Sequence, residues 1–542
     1  MYRLGFVSLL FCLTWFSSAP ARGAERPNIL LIVADDLGYS DLGCYGGEIA
    51  TPRLDALAEA GLRLTRFYNT GRCCPSRASI LSGQYPHRVG LGHMVQDLQQ
   101  PGYRGRISDD ARTIAEVAAG AGYRTFLSGK WHLGTQDPTR RGFEEFYGTL
   151  VSAKTFWDPD HFLRLPADRK KRQYKPSEFY GTDALTDHAL DFLKLARGTP
   201  NKPWLLYLAY NAPHFPLQAP PEDIARYADK YHVGWDQLRR RRLARMKKLG
   251  IVPQSTRLTP RSQYWDWGEE HTDHNPAWSS LPQERRADLA RRMAIYAAMV
   301  DRLDQNVGRV VDDLHAAGEL DNTLIVFLSD NGACAEWDPL GFDNQSGPEN
   351  ILHTGDELAS MGQAGTFHSA GSGWANVSNT PWRLYKHYNH EGGINSPCIV
   401  HWPAGMKRRA EIDHHAAHII DLMPTIVEVS GAKYDSPLPL PGESLTPLLR
   451  GESPAPRTLY FEHEGNRAVL QDKWKLVARK GAPWELYDTT RDRTELDDLA
   501  KDHPQQVERL AELWDAWAEA NDVTPAPDDY GVGYLRPAGA EK

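Results

Sequence analysis

Ile29-Leu30-Leu31-Ile32-Val33, followed almost at once by Asp35 and Asp36, is the stretch on which the fold turns. An unbroken apolar run that ends abruptly in charge reads as a strand buried on both faces of a parallel sheet. Three further runs repeat the pattern. Thr323-Leu324-Ile325-Val326-Phe327-Leu328 precedes Ser329-Asp330-Asn331-Gly332, and Tyr123-Arg124-Thr125-Phe126-Leu127 leads into Gly129-Lys130-Trp131-His132-Leu133-Gly134. Trp204-Leu205-Leu206-Tyr207-Leu208-Ala209-Tyr210 leads into Asn211-Ala212-Pro213-His214. Ligands of open α/β sheets bind beyond the carboxyl ends of the strands, so the four runs predict a single site along one edge.

Asp35, Asp36, Asp330 and Asn331 offer oxygen ligands only, which suits a hard cation, calcium first and magnesium second, and argues against zinc or copper. A lone Asp-Asp pair after a strand is better read as a helix cap. A second acidic pair at another strand end shifts the balance, because carboxylates gathered without a cation repel one another and are driven toward protonation. Lys130, His132 and His214 taken singly are as readily a solvated lysine and turn histidines.

Between the first two runs lies Cys73-Cys74-Pro75-Ser76-Arg77-Ala78-Ser79-Ile80-Leu81-Ser82-Gly83. It predicts a tight turn at Pro75 opening a short helix over Ser76 to Ser82, with Gly83 as its C-terminal cap. Free N–H groups at a helix start attract anions, and the planar fork of Arg77 suits a tetrahedral oxyanion. Two adjacent cysteines also fit buried thiols, a disulfide partner or half of a zinc site, although no second Cys-x-x-Cys pair or nearby His-x-x-x-His supports zinc.

The same residues match the signature Cys-x-Pro-Ser-Arg followed by Leu-x-Gly, and on them the chain resembles the type I sulfatases of the alkaline phosphatase superfamily. Gly129-Lys130-Trp131-His132-Leu133-Gly134 is similar to the second sulfatase signature, and Pro213-His214 to the segment that carries the histidine near the leaving group. Lys386-His387-Tyr388-Asn389-His390-Glu391-Gly392-Gly393 resembles the late lysine and Glu-Gly-Gly segment of the same enzymes. The resemblance implies an α/β fold with a large mixed, mostly parallel central sheet sandwiched by helices, plus a smaller C-terminal antiparallel sheet packed with a helix. It implies hydrolysis of a sulfate ester, aryl or carbohydrate, through Cα-formylglycine made from Cys73 by a maturation enzyme before folding.

In the roles that the resemblance implies, the hydrated aldehyde at 73 attacks sulfur and is also a ligand of the cation held by Asp35, Asp36, Asp330 and Asn331. Arg77, Lys130 and Lys386 neutralise the sulfate oxygens, and His214 with Lys386 protonates the leaving oxygen. His132 takes the proton of the second hydroxyl so that sulfate leaves by elimination. Two rivals stand beside this reading: a phosphodiesterase or phosphonate monoester hydrolase on the same fold, and a silent binder of sulfated glycans in which Cys73 is unconverted.

With 542 residues, 24% of them charged, and a formal charge of -8, the chain is long enough for one large domain and a smaller one. A mildly acidic chain draws a sulfated substrate only through local positive charge. Residues 1–24, with an early arginine, the apolar stretch Leu4 to Phe16 and Ala19-Pro20-Ala21, read as a secretory signal peptide, which predicts an exported, periplasmic or secreted protein with no later membrane span. The catalytic domain is expected over 25–455, and a hairpin subdomain and tail over 456–542, with a helix from Pro504 to Ala520 whose apolar stripe docks on the hairpins. Cys44, Cys74, Cys334 and Cys398 are expected to be free or singly paired.

The run Arg239-Arg240-Arg241-Arg242 reads as a solvated helix face rather than a nucleic-acid site. Trp265, Trp267 and Trp278 are read as packing, or as ring-stacking at the cleft rim. The stretch 337–380, poor in periodicity, reads as an active-site loop in which His368 and Trp374 are candidates for specificity contacts.

Overall fold

The computed structural model of the chain describes residues 26–266, 269–336, 338–344 and 349–523. The expected signal peptide and the tail from Thr524 lie outside them. The large sheet runs, edge to edge, through strands Glu411–Asp413, Leu62–Tyr68, Asn395–His401, Thr323–Ser329, Asn28–Ala34, Trp204–Ala209, Arg124–Lys130, Glu145–Thr149 and Leu163–Leu165, with Ala417–His418 also on Leu62–Tyr68. The five strands from Thr323–Ser329 to Glu145–Thr149 are parallel to one another, while Asn395–His401 is antiparallel to both neighbours. The expected mixed, mostly parallel sheet is therefore present.

The apolar runs are unbroken because each strand serves two cores. Leu30 and Ile32 pack with the 34-residue helix Gln283–Ala316 and helix Gly181–Arg197 on one face. Ile29, Leu31 and Val33 pack with helices Cys73–Ser82, Ile114–Gly120 and Leu422–Ser430 on the other. Successive side chains alternate across a strand, so a sheet covered on both faces needs apolar residues at every position.

A second sheet of strands Thr458–His463, Asn466–Gln471, Trp474–Ala478 and Glu485–Asp488 is wholly antiparallel. Helix Pro504–Ala520 covers one face, where Leu510, Val507, Leu513 and Trp514 meet Val469, Leu476 and Leu486. The other face lays Phe461, Leu470 and Tyr487 against Tyr68 and Ile394 of the large body. Lys475 crosses this junction, buried, to Glu391 at 3.1 Å and Glu495 at 2.7 Å. Among the described residues no helix is long and apolar enough to cross a membrane, and Cys44, Cys73, Cys74, Cys334 and Cys398 are all free thiols.

Three expectations are corrected. Arg239 and Arg242 do not lie on a solvated face of helix Trp235–Leu249 but point inward, leaving Arg240 and Arg241 exposed. Arg242 meets Asp41 at 2.6 Å and Glu48 at 2.8 Å, and Arg239 donates to the carbonyl of Thr259 at 2.9 Å. Second, the stretch 337–380 contains helices Gly355–Ser360 and Ser372–Ser378. Third, Trp374 on the latter is a core residue, its indole donating to the Leu289 carbonyl at 2.8 Å and packing on Trp235 and Trp278. Trp278 is thus packing, as one of the two readings had it; the side chains of Trp265 and Trp267 lie outside the described part of the structure.

Replacing Arg242 by methionine would strand Asp41 and the largely buried Glu48 without their cation. We expect a loss of about 3–5 kcal/mol in denaturant unfolding, as for one partner of a buried pair. A loss below about 1 kcal/mol, the worth of a surface pair, would show that the inward arginine is not a buried ion pair in solution.

Candidate active site

The four predicted strand ends meet at one edge of the sheet. Asp35 and Asp36 follow strand Asn28–Ala34, Asp330 and Asn331 follow Thr323–Ser329, Lys130 closes Arg124–Lys130, and His214 follows Trp204–Ala209. Asp35, Asp36, Lys130, Asp330, Asn331 and Lys386 are all buried to within 2% of complete enclosure. Lys130 Nζ lies 2.5 Å from Asp35 Oδ2, and Lys386 Nζ lies 3.0 Å from Asp36 Oδ2. His214 donates from Nδ1 to the Phe215 carbonyl at 2.6 Å and places Nε2 3.5 Å from Asp36 Oδ2.

Helix Cys73–Ser82 ends as expected, with Gly83 in the left-handed conformation at φ 68° donating to the Ser79 carbonyl. Its start differs from expectation. The first turn already includes Cys73, Cys74 and Pro75, because Arg72 is the extended N-cap residue and Ser76 N–H closes back onto the Arg72 carbonyl at 2.9 Å. Proline is at home in a first turn, where its missing N–H costs nothing. Cys73 therefore sits at the N-terminus of the helix itself, only 1% exposed.

A hydrogen bond from Cys74, the charge of Lys130 and a hydrogen bond with His132 outweigh burial and hold the Cys73 thiol well below its ordinary range. Burial, and then Lys130, lower His132 to about 4 and keep it neutral. His132 also adopts a left-handed backbone, φ 56°, uncommon for a residue with a side chain.

Much of the fork of Arg77 is engaged within the protein, although one terminal nitrogen, close to Asp330, makes no hydrogen bond among the described residues. Nε and a terminal nitrogen reach Asp330 Oδ2 at 2.9 and 2.8 Å, and the other terminal nitrogen donates to the Lys130 carbonyl at 3.0 Å. The guanidinium thus fixes two site residues, Asp330 and Lys130.

The donor set fits a hard cation. Burial and then Asp35 push the Asp330 carboxyl well above its usual range, the mark of carboxylates short of positive charge. Asp35 responds oppositely: burial opposes ionisation, but Lys130, His214 and Arg77 outweigh it and bring the group to about 2. Asp35 Oδ1 and Asn331 Oδ1 are enclosed oxygens with no hydrogen-bond donor among the described residues, while the Asn331 amide nitrogen is used on Asp36 Oδ1 at 2.6 Å. Ligand atoms of Asp35, Asp36 and His214 lie within 4.8 Å of one another, as do those of Cys73, Cys74 and His132. The second, softer trio has the Lys130 ammonium acting on the same thiol, which disfavours a cation there.

The sequence reading missed a layer behind these residues. Glu336 stands 3.4 Å from Lys386 Nζ and 3.5 Å from Arg72, and Arg72 also meets Glu464 at 2.8 Å. Arg72 is marked only by its place beside Cys73 in the chain and Glu336 only by following Asp330 and Asn331 a few positions on, while nothing local marks Glu464. His368 is held by Asp343 at 2.5 Å, and its Nε2 has no partner among the described residues; it lies in the ring cluster of His353 beside the loop rather than against the strand-end charges.

The sulfatase family model matches residues 27–432, and a model described as the C-terminal part of N-sulphoglucosamine sulphohydrolase matches residues 381–521. An uncharacterized sulfatase of Schizosaccharomyces pombe is 34% identical over 95% of this chain and 98% of its own length. An arylsulfatase of Klebsiella aerogenes is 34% identical over 76% of this chain and 88% of its own. The crystal structure of Ps i-CgsB in complex with k-i-k-neocarrahexaose superposes with a TM-score of 0.66 at 26% identity, covering 92% of this chain and 94% of that one. With a matched model over most of its length and a sheet edge that gathers the residues of both signatures, the chain belongs to the sulfatase family and is a hydrolase of sulfuric esters.

Proposed function

We propose that the protein cleaves an aryl or carbohydrate sulfate ester with residue 73, matured from cysteine to Cα-formylglycine, beside one calcium ion held by Asp35, Asp36, Asp330 and Asn331. The observation that carries the reading is the enclosure of Cys73 at a helix start, its thiol acted on by Lys130 and His132, at the edge where the carboxylates converge. When present, the hydrated aldehyde supplies the nucleophile and the cation supplies positive charge beside it.

The remaining roles belong to the chain's own side chains. Lys130 and Lys386 carry fixed ammonium charges that offset those of the sulfate oxygens, and such preorganised charge is the large term in group transfer. Asp35 overrides the cost of burial and raises Lys130, and Asp36 does the same for Lys386, so both remain charged. Arg77 aligns Asp330 and the Lys130 backbone. His132, kept neutral, is placed to accept a proton from the side chain of residue 73. His214, its Nδ1 fixed by the Phe215 carbonyl, presents Nε2 as the atom that hands a proton to the leaving oxygen.

The arylsulfatase relative supports an aryl substrate and the neocarrahexaose-bound neighbour a carbohydrate one. Export through residues 1–24 is part of the same reading and rests on the sequence of that segment.

Peptide mass spectrometry across residue 73, on protein made with a formylglycine-generating enzyme, is expected to show the aldehyde together with turnover of nitrophenyl sulfate. Cys73→Ala should abolish turnover, and His214→Ala should slow alkyl sulfates more than nitrophenyl sulfate, whose leaving group needs no proton. Conversion with activity on phosphodiesters alone would replace this reading by the rival hydrolase, and no conversion would favour the glycan binder. For the cation, calcium added to chelator-treated protein is expected to stabilise it by about 2.7 kcal/mol at a hundredfold excess over its dissociation constant, with the gain lost in Asp330→Asn. A thermal midpoint that ignores calcium but responds to zinc would contradict the proposed oxygen site.

A further inference from the structure

The turn between strands Thr458–His463 and Asn466–Gln471 carries a charge that the reaction as outlined does not use. Glu464 occupies it with a left-handed backbone, φ 53°, and a side chain only 2% exposed. Its two oxygens are met by basic groups from three distant segments. Oε1 accepts from Arg72 at 2.8 Å and faces His93 Nε2 at 3.2 Å, while Oε2 lies 2.6 Å from His387 Nδ1. Arg72 lies 392 positions away in the chain. Burial opposes ionisation, but the basic neighbours His387, His463 and Arg72 outweigh it and hold this carboxyl well below its usual range.

These contacts lead to the reacting centre in two short steps. Arg72 is the N-cap residue of helix Cys73–Ser82, so its side chain fixes the turn from which residue 73 projects. The same guanidinium reaches Glu336 at 3.5 Å, and Glu336 stands 3.4 Å from Lys386 Nζ. His387, next to that lysine, lies against both glutamates, at 2.6 Å from Glu464 and 2.9 Å from Glu336. The turn also grips this segment through its backbone: Asn466 donates to the His387 carbonyl at 3.0 Å, and Asn389 donates to the Asn466 carbonyl at 2.8 Å.

We propose that Glu464 is a positioning residue for sulfate ester hydrolysis, a contribution of the C-terminal sheet that orients the start of helix Cys73–Ser82 through Arg72 and sets Lys386 through Glu336. The inference rests on the function proposed above. Without the Glu464 carboxylate, Arg72 retains one buried counter-charge, Glu336, and competes with Lys386 for it. The helix start then loses its fixed place and the ammonium, still held by Asp36, loses its second anchor at Glu336, and misplacement on the scale of 1 Å costs about a hundredfold in rate.

His93, His463 and Glu464 also present ligand atoms within 4.8 Å of one another. A metal there is the weaker account, because Arg72 already binds the same Glu464 oxygen.

The test compares Glu464→Gln with Arg457→Gln, whose buried pair with Asp421, at 2.7 and 2.6 Å, reaches from the start of the C-terminal sheet to the large body away from the strand-end charges. Formylglycine content is measured by mass spectrometry, and kcat for nitrophenyl sulfate is taken per folded, converted molecule. The expected result is a kcat lowered about 10–100-fold in Glu464→Gln and unchanged in Arg457→Gln, with both thermal midpoints reduced. Unchanged kcat in Glu464→Gln, or an equal fall in both variants, overturns the proposal and leaves Glu464 a packing residue. Should Glu464→Gln not fold, Arg72→Lys, which keeps the charge but cannot bridge two carboxylates, is expected to lower kcat likewise; normal kcat there overturns it. Absence of turnover in the wild type would instead overturn the underlying function, and this inference with it.

Discussion

Three carboxylates at one sheet edge, out of water, are the constraint around which the molecule is built. An ion transferred from water to a protein interior costs several kcal/mol even after relaxation. Asp35, Asp36 and Asp330 are tolerated because Lys130, Lys386 and Arg77 are buried against them. The dependence is mutual: neither lysine would stay charged in that enclosure without its aspartate. Even so the balance is incomplete, since the Asp330 carboxyl is driven up and two oxygens lack a donor among the described residues. The deficit is what makes the edge receptive to a divalent cation and, beyond it, to an anionic ester.

Such an arrangement needs a platform that does not yield. Parallel strands with both faces covered provide it, because every residue from Ile29 to Ala34 is locked into one of two packed cores. The charges emerge where this packing stops, at the first residues past the strands. Positions at strand ends are held more precisely than positions on free loops, which suits a reaction governed by fixed charge.

The same logic explains what could be read from the chain and what could not. The strand runs, the convergence of their ends, the cap at Gly83 and helix Pro504–Ala520 each leave a local trace: apolar continuity, a glycine in the right place, or a stripe at helical spacing. Arg242 left the opposite trace. Four consecutive arginines look solvated, and only Asp41 and Glu48, some two hundred positions earlier, give the fourth a reason to turn inward. Trp374 likewise sits in a stretch without periodicity, and its burial depends on Trp235 and Trp278, elements that no window around residue 374 contains. Glu464 is the extreme case. A glutamate beside a glycine in a hairpin turn reads as solvent-facing, and its partners come from residues 72, 93 and 387. Periodicity reports which face of an element is apolar; it is silent on a buried charge whose counter-charge is remote in the chain.

Burial also bears on when residue 73 could be matured. Cys73 is 1% exposed, and Arg72 and Cys74 beside it are enclosed as well. An enzyme that modifies a side chain must reach its reacting atom, and here the following residues are the first turn of a helix packed into one of the two cores. Opening that segment means withdrawing Arg72 from Glu336 and Glu464, and Arg77 from Asp330, which strands buried charges on both sides of the C-terminal junction. Each such rupture costs about 3–5 kcal/mol, and together they reach the 5–15 kcal/mol by which whole domains are stable. Access to residue 73 in the folded protein thus amounts to unfolding it. The conversion of Cys73 proposed above would therefore belong before the large sheet closes and before the turn at Glu464 docks.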